Sequence, residues 1–162
     1  MTILGLAAGF AATAQSAAAA SRFVFANESD YDTMDPHAAF DVGRVAVRLN
    51  IYDGLMRWKK NPAKLEPWLA ESYTISPDGL NYTFKLLKGA KFHDGSEIKA
   101  SDVVYSMERI LSVGKGAAAL FKTMIGPSNS KAIDDYTVQF TLLKPSAIFL
   151  STVPEIHVVN EK

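Results

Sequence analysis

Apolar and polar residues nearly alternate over residues 72–76 and 82–86, with Asp78-Gly79 between the two runs. A period of two sends alternate side chains to opposite faces of a strand, so this stretch reads as a β-hairpin. "SKAIDDYTVQFTLLKP" predicts a second hairpin, with Asp134-Asp135 turning between residues 131–133 and the alternating run 137–142. Elsewhere the spacing is helical. In "VGRVAVRLNIYDGL", Val42, Val45, Leu49 and Tyr52 fall on one helix face; Asp41 can cap its start and Asp53-Gly54 closes it. "ASDVVYSMERILSVG" is better specified. Ser101 serves as N-cap, Asp102 sits at the positive end of the dipole and Gly114 at the C-cap, with Val103, Met107, Ile110 and Leu111 as the apolar stripe. "AAALFKTMI" predicts a shorter helix ended by Gly126-Pro127, and "SAIFLSTV" one more helical turn. "RFVFAN" and "LMRWKK" read as strands; "NPAKLEP" and Lys88-Gly89 read as turns. The pattern is that of an α+β fold without internal repeats or long linkers.

The first residues break from this pattern. "MTILGLAAGFAATAQSAAAASRF" carries no charge before Arg22, and its apolar run 3–14 has the length of a signal-peptide core. Small residues with Ala-x-Ala options follow around Ala17 to Ala20, although the basic start of a signal peptide is missing. The competing reading is a retained anchor of about 20 residues, which Gln15, Ser16 and the weakly apolar alanines disfavour. Residues 1–20 are therefore expected to be a signal peptide with a truncated or mis-assigned start, and the protein to be exported.

Composition narrows the chemistry. The 162 residues suffice for one buried core. Lys plus Arg and Asp plus Glu both number 17, so no basic excess points to a nucleic-acid partner. The absence of cysteine excludes disulfides, thiolate metal sites, a cysteine nucleophile and a lipid-modified N-terminal cysteine. The chain also lacks a Gly-rich phosphate loop, a Gly-x-Ser-x-Gly elbow and a His-Glu-x-x-His motif.

Several residue groups invite a functional reading. "KFHDG", residues 91–95, sets His93 beside Asp94, as a metal ligand or general base would stand. A transition-metal site needs three or four converging ligands, and the other histidines, His37 and His157, lie far off in sequence. Asp94-Gly95 falls between a β run and a capped helix, where it reads as a turn. Glu28, Asp30, Asp32 and Asp35 resemble alternating calcium ligands but lack the glycine and terminal glutamate of a calcium loop, so a solvated loop is favoured. Trp58, Trp68, Tyr73, Tyr82, Phe84, Phe92 and Phe121 could stack on sugars or peptides, yet are expected in the core. Ser101, Ser106 and Ser112 have no local base. No catalytic residue, metal site or cofactor is assigned, and a binder is favoured over an enzyme.

In order, "TMDPH", "IYDGLMRW", "LEPWLAESYTISPDGLNYTFKLLKGAKFHDGSEIKASDVVYSMERI" and "KAIDDYTVQFTLLKPSAIFL" resemble the family 5 extracellular solute-binding proteins. These are the periplasmic dipeptide-, oligopeptide- and nickel-binding components of ABC transporters. The resemblance runs over nearly the whole chain after residue 20. It implies a partial periplasmic-binding-protein type II-like fold: residues 21–52 the first segment of lobe I, residues 53–162 the extra subdomain of the peptide-binding group (domain II), and no second lobe. Family members are about three times longer, so the chain reads as an N-terminal fragment. The implied function is capture of a solute, peptides foremost, and its delivery to membrane permease subunits by a soluble periplasmic protein, monomeric at full length. By position, the resemblance implies ligand contacts at Ala39, Phe40, Asp41 and Val42, although the Asp41 carboxylate could equally cap the helix. The alternative is an independent small exported α+β interaction module without a transport role.

Overall fold

The computed structural model describes residues 33–38, 42–59 and 62–162. The expected leader, the "RFVFAN" strand and three of the four residues of the acidic cluster lie outside them. Helix α1 (Val42–Ile51) is followed by the hairpin β1 (Met56–Lys59) and β2 (Lys64–Pro67), then strands β3 (Ala70–Ile75) and β4 (Asn81–Leu86). Helices α2 (Ala100–Val113) and α3 (Ala118–Phe121), strands β5 (Ser130–Asp134) and β6 (Thr137–Thr141), and helix α4 (Phe149–Thr152) with a 3-10 turn (Val153–Glu155) complete it.

The α+β expectation holds, and both hairpins form. They join into one antiparallel sheet of order β3-β4-β6-β5. Pairing Tyr82 with Phe140 and Phe84 with Val138 puts the apolar set of both central strands on one face. That face and Val103, Met107 and Ile110 of α2 bury one another, joined by Phe121 and Phe149. Ring centroids at 4.8 Å (Tyr82–Phe149) and 5.8 Å (Phe84–Phe140) give edge-on aromatic packing.

Three local expectations need correction. Helix α2 starts two residues early, with Lys99 at the N-cap and Ser101 exposed in the first turn. Asp102 reaches back to accept the Lys99 N–H at 2.8 Å, and the Ala100 N–H bonds the Asp135 carbonyl at 2.8 Å. Those bonds, rather than the Ser101 hydroxyl, set the start. In "NPAKLEP", residues 64–67 form β2: Leu65 faces Trp58, and Pro67 ends the strand, where its missing N–H is tolerated. In the second hairpin Asp134 still pairs with Thr137, so the turn residues are Asp135 and Tyr136. Gly114 closes α2 in the left-handed region, φ +67°, as expected.

The C-terminal segment returns beside the residues that follow α1. Gly54 bridges His157, and the Val158 N–H bonds the Asp53 carbonyl at 2.9 Å. Gly54 is required there, since a β-carbon would stand 2.8 Å from the Pro154 carbonyl oxygen.

Candidate functional site

Ala39, Phe40 and Asp41 lie outside the described residues, and Val42 is described only as the first residue of α1. The structure does show how both flanks of this stretch are anchored.

Upstream, residues 35–38 form a turn around Pro36. The Ala38 N–H bonds the Asp35 carbonyl at 3.3 Å, and the His37 N–H bonds Asp35 Oδ1 at 3.0 Å. The Asp35 carboxylate is gripped from α2 by Arg109, Nη1 to Oδ1 at 2.8 Å and Nη2 to Oδ2 at 2.7 Å. This bidentate charge-assisted pair holds the Asp35 carboxyl down at about 2, the Arg109 hydrogen bond being the main cause. Arg109 Nη1 also lies 2.9 Å from His37 Nδ1. A guanidinium only donates, so Nδ1 is the acceptor and the ring proton resides on Nε2. Nε2 then donates to the His157 carbonyl at 2.9 Å.

Both histidines are buried. Burial holds the His37 imidazole below its ordinary value, as does the Arg109 charge. His157 is driven down to about 3, by burial first and then by the charges of Arg48 and His37. Downstream, Arg48 Nη2 on α1 pairs with Glu155 Oε2 at 2.9 Å, and the Tyr52 hydroxyl donates to the Met34 carbonyl at 3.2 Å. Turn, helix and C-terminal segment are thus tied into one joint. His37 and His157, far apart in sequence, are brought together by the fold. Asp35, assigned to a solvated loop, is instead an ion-pair partner; Glu28, Asp30 and Asp32 lie outside the described residues.

The "KFHDG" run is a turn. Lys91 bridges Glu97, Gly95 has φ +85°, and Asp94 Oδ1 accepts from the Ser96 N–H at 2.9 Å. Asn160 Nδ2 donates to Asp94 Oδ2 at 3.0 Å. His93 is exposed on the rim of an open depression of about 340 Å³ floored by Leu69, Ile98 and Val158. Among the described residues no group of three or more His, Cys, Asp or Glu is placed to hold a metal. Ser106 is structural: its hydroxyl donates to the Asp102 carbonyl at 2.6 Å and accepts the Val159 N–H at 2.9 Å.

The aromatic expectation divides. Tyr82, Phe84 and Phe121 are core and Phe92 packs against it, but Trp58, Trp68 and Tyr73 are exposed. Trp68 Nε1 donates to Asp53 at 2.6 Å, and the Arg57 guanidinium lies 3.7 Å from the Trp68 ring centroid. Both tryptophans belong to the β1–β2 region, a two-stranded ribbon separate from the four-stranded sheet, whereas the core aromatics Tyr82 and Phe84 belong to the sheet that α2 packs against.

Residues 64–162 match the model of the bacterial extracellular solute-binding proteins, family 5. The chain is 41% identical over 119 residues to heme-binding protein A of Haemophilus influenzae, covering 64% of the chain and 22% of that relative. It is 37% identical over 153 residues to the glutathione-binding protein GsiB of Escherichia coli, covering 93% of the chain and 29% of that relative. Among solved structures, the periplasmic binding protein DppA of Helicobacter pylori, in complex with peptide STSA, superposes with a TM-score of 0.67 at 32% identity. That superposition covers 79% of this chain and 28% of DppA. The chain thus spans about a quarter of the length of the relatives it matches.

Proposed function

The chain belongs to the bacterial extracellular solute-binding proteins of family 5, and on that premise we propose that it supplies one wall of a peptide-capturing protein serving an ABC importer. The observation that carries this reading is the match over residues 64–162. DppA is described as ABC transporter-associated and periplasmic, and was solved with a peptide; GsiB binds glutathione, itself a small peptide. Heme-binding protein A makes heme the competing solute class. Residues 21–52 are assigned to the first segment of lobe I and residues 53–162 to domain II. The protein works outside the cytoplasm, captures solute without chemical conversion and hands it to membrane permease subunits.

The joint supports ligand contact at Ala39, Phe40, Asp41 and Val42. A recognition stretch gains affinity when its flanks are already ordered, because less conformational entropy is lost on binding. Here the flanks are held by Asp35–Arg109 and His37–His157 on one side and by Arg48–Glu155 on the other. The test is calorimetric titration of the full chain, and of any longer polypeptide encoded in frame with it, with dipeptides, tetrapeptides, glutathione and heme. Peptide binding that weakens about tenfold in Asp41→Asn, the scale of one lost charge-assisted contact, is expected. Binding of heme alone, or peptide affinity indifferent to Asp41→Asn and Phe40→Ala, would refute the assignment.

A further inference from the structure

We propose that the contact between His37 and His157 is an acid-sensitive clasp, holding the 33–38 turn to the C-terminal segment while both rings are neutral and opening when either takes up a proton. The bond directions leave no place for that proton. His37 Nδ1 already faces an Arg109 N–H at 2.9 Å, so a proton there would set donor against donor and cation against cation. The carboxylate that could compensate, Asp35, has both oxygens engaged by Arg109.

The His157 ring is 1% exposed, and neither of its nitrogens has a hydrogen-bond partner. Glu155 Oε2 stands 4.0 Å from its Nε2, too far to bond, and is held by Arg48 at 2.9 Å. Among the described residues, the groups facing the pair are Asp35 on the turn, Arg109 on α2, Arg48 and Tyr52 at α1, and Glu155 on the 3-10 turn. Tyr105 interacts with Arg109. Each carboxylate is paired with an arginine, so an added imidazolium would be buried and uncompensated.

Burial and the neighbouring arginines keep both rings below their ordinary value. The open state binds a proton with an ordinary histidine pKa of about 6.5, and the closed state resists it, so opening grows as pH falls below that value. At about pH 5 an open-state histidine is protonated roughly 30:1, so His157, held at about 3 when closed, raises the open population about 30-fold relative to about pH 7.5, and His37 adds in the same direction. The bearing of this opening on ligand contact rests on the function proposed above; the opening itself does not.

Amide hydrogen exchange of the full chain at about pH 5 and about pH 7.5, corrected for intrinsic exchange, reads the clasp directly. Peptides covering residues 33–38 and 153–158 should open at least about 30-fold more at the lower pH, with β4 and β6 unchanged. His157→Phe keeps an aromatic ring, slightly larger, and loses no hydrogen bond, and His37→Gln keeps a donor toward the His157 carbonyl; together they should flatten the response. Equal protection at both pH values, or a double variant that keeps the slope, would overturn the clasp. Should the variants fold poorly, ring-proton NMR of the wild type decides. The clasp requires both imidazoles to titrate below the ordinary range in step with exchange, and an ordinary titration without opening sinks it.

Discussion

Arg109→Leu tests the joint at its most connected residue. The substitution keeps an apolar stem on α2 and removes two bonds to Asp35, one to His37 and an interaction with Tyr105. The Asp35 carboxyl stands at about 2 against an ordinary 3.8. Nearly two pH units correspond to about 2.5 kcal/mol of preference for the charged, paired form. The partners are 26% and 29% exposed, so solvent screening reduces this to about 1–2 kcal/mol. The lost bond to His37, which leaves a buried nitrogen acceptor unmatched, adds about 1 kcal/mol. The expected loss is about 2–3 kcal/mol at neutral pH, read by urea unfolding and worth roughly 10 °C in Tm for a chain of this size. The sign with pH is fixed. A carboxylate with a depressed pKa stabilises above 3.8, and its contribution fades as pH falls toward about 2. Removing Arg109 also removes a positive charge opposing His37 protonation, so the gap between wild type and variant should begin closing before Asp35 titrates. A loss below about 0.5 kcal/mol at neutral pH, or a gap constant down to about pH 3, would show that the grip on Asp35 contributes nothing in solution.

Two further substitutions separate steric from conformational demands. Gly54→Ala would push a β-carbon to 2.8 Å from the Pro154 carbonyl oxygen, a backbone atom that cannot rotate away. A loss of about 1–3 kcal/mol in urea unfolding is expected, and a neutral result would mean that the C-terminal segment is not packed on Gly54. Gly95→Ala meets no atom within 4 Å, yet φ is +85°, so its cost of about 1 kcal/mol is purely conformational. Its control is His93→Ala, on the exposed rim, which should stay within about 0.5 kcal/mol of wild type by the same assay. Equal costs at the two positions would contradict the turn described for residues 91–95.

Where one face of an element meets the core, the sequence pattern carries the structure. Tyr82, Phe84 and Leu86 alternate because β4 is buried on one side only, and Val103, Met107 and Ile110 recur at helical spacing because that face of α2 joins the same core. The pattern misleads where that condition fails. Strand β2 pairs with β1 in a separate two-stranded ribbon in which Met56 is buried and Leu65 only partly so, and "KLEP" is too short for its pattern to reveal a strand. In the same region Trp58 and Trp68 are exposed, although their residue type alone suggests core. At α2, Asp102 competes with Ser101 for the helix start and prevails because its longer side chain reaches the Lys99 N–H from inside the first turn.

The joint is different in kind. Its bonds connect residues 74 and 120 positions apart, and no local period relates them. Two signals were nonetheless present. His157 sits in "IHVV", an apolar run in which a polar ring must be either buried or functional, and it is 1% exposed. Asp35 precedes Pro36, whose fixed φ favours a turn, and in such a turn an aspartate commonly bonds its own backbone, as it does to the His37 N–H. Neither signal names a partner. Only the fold does so, by laying the C-terminal segment across Gly54 and turning Arg109 toward the start of the chain. Consequently the family motif around Asp35, Pro36 and His37 is legible as a marker of kinship from sequence, while its physical role, a buried neutral pair between two arginines, follows from three-dimensional placement alone.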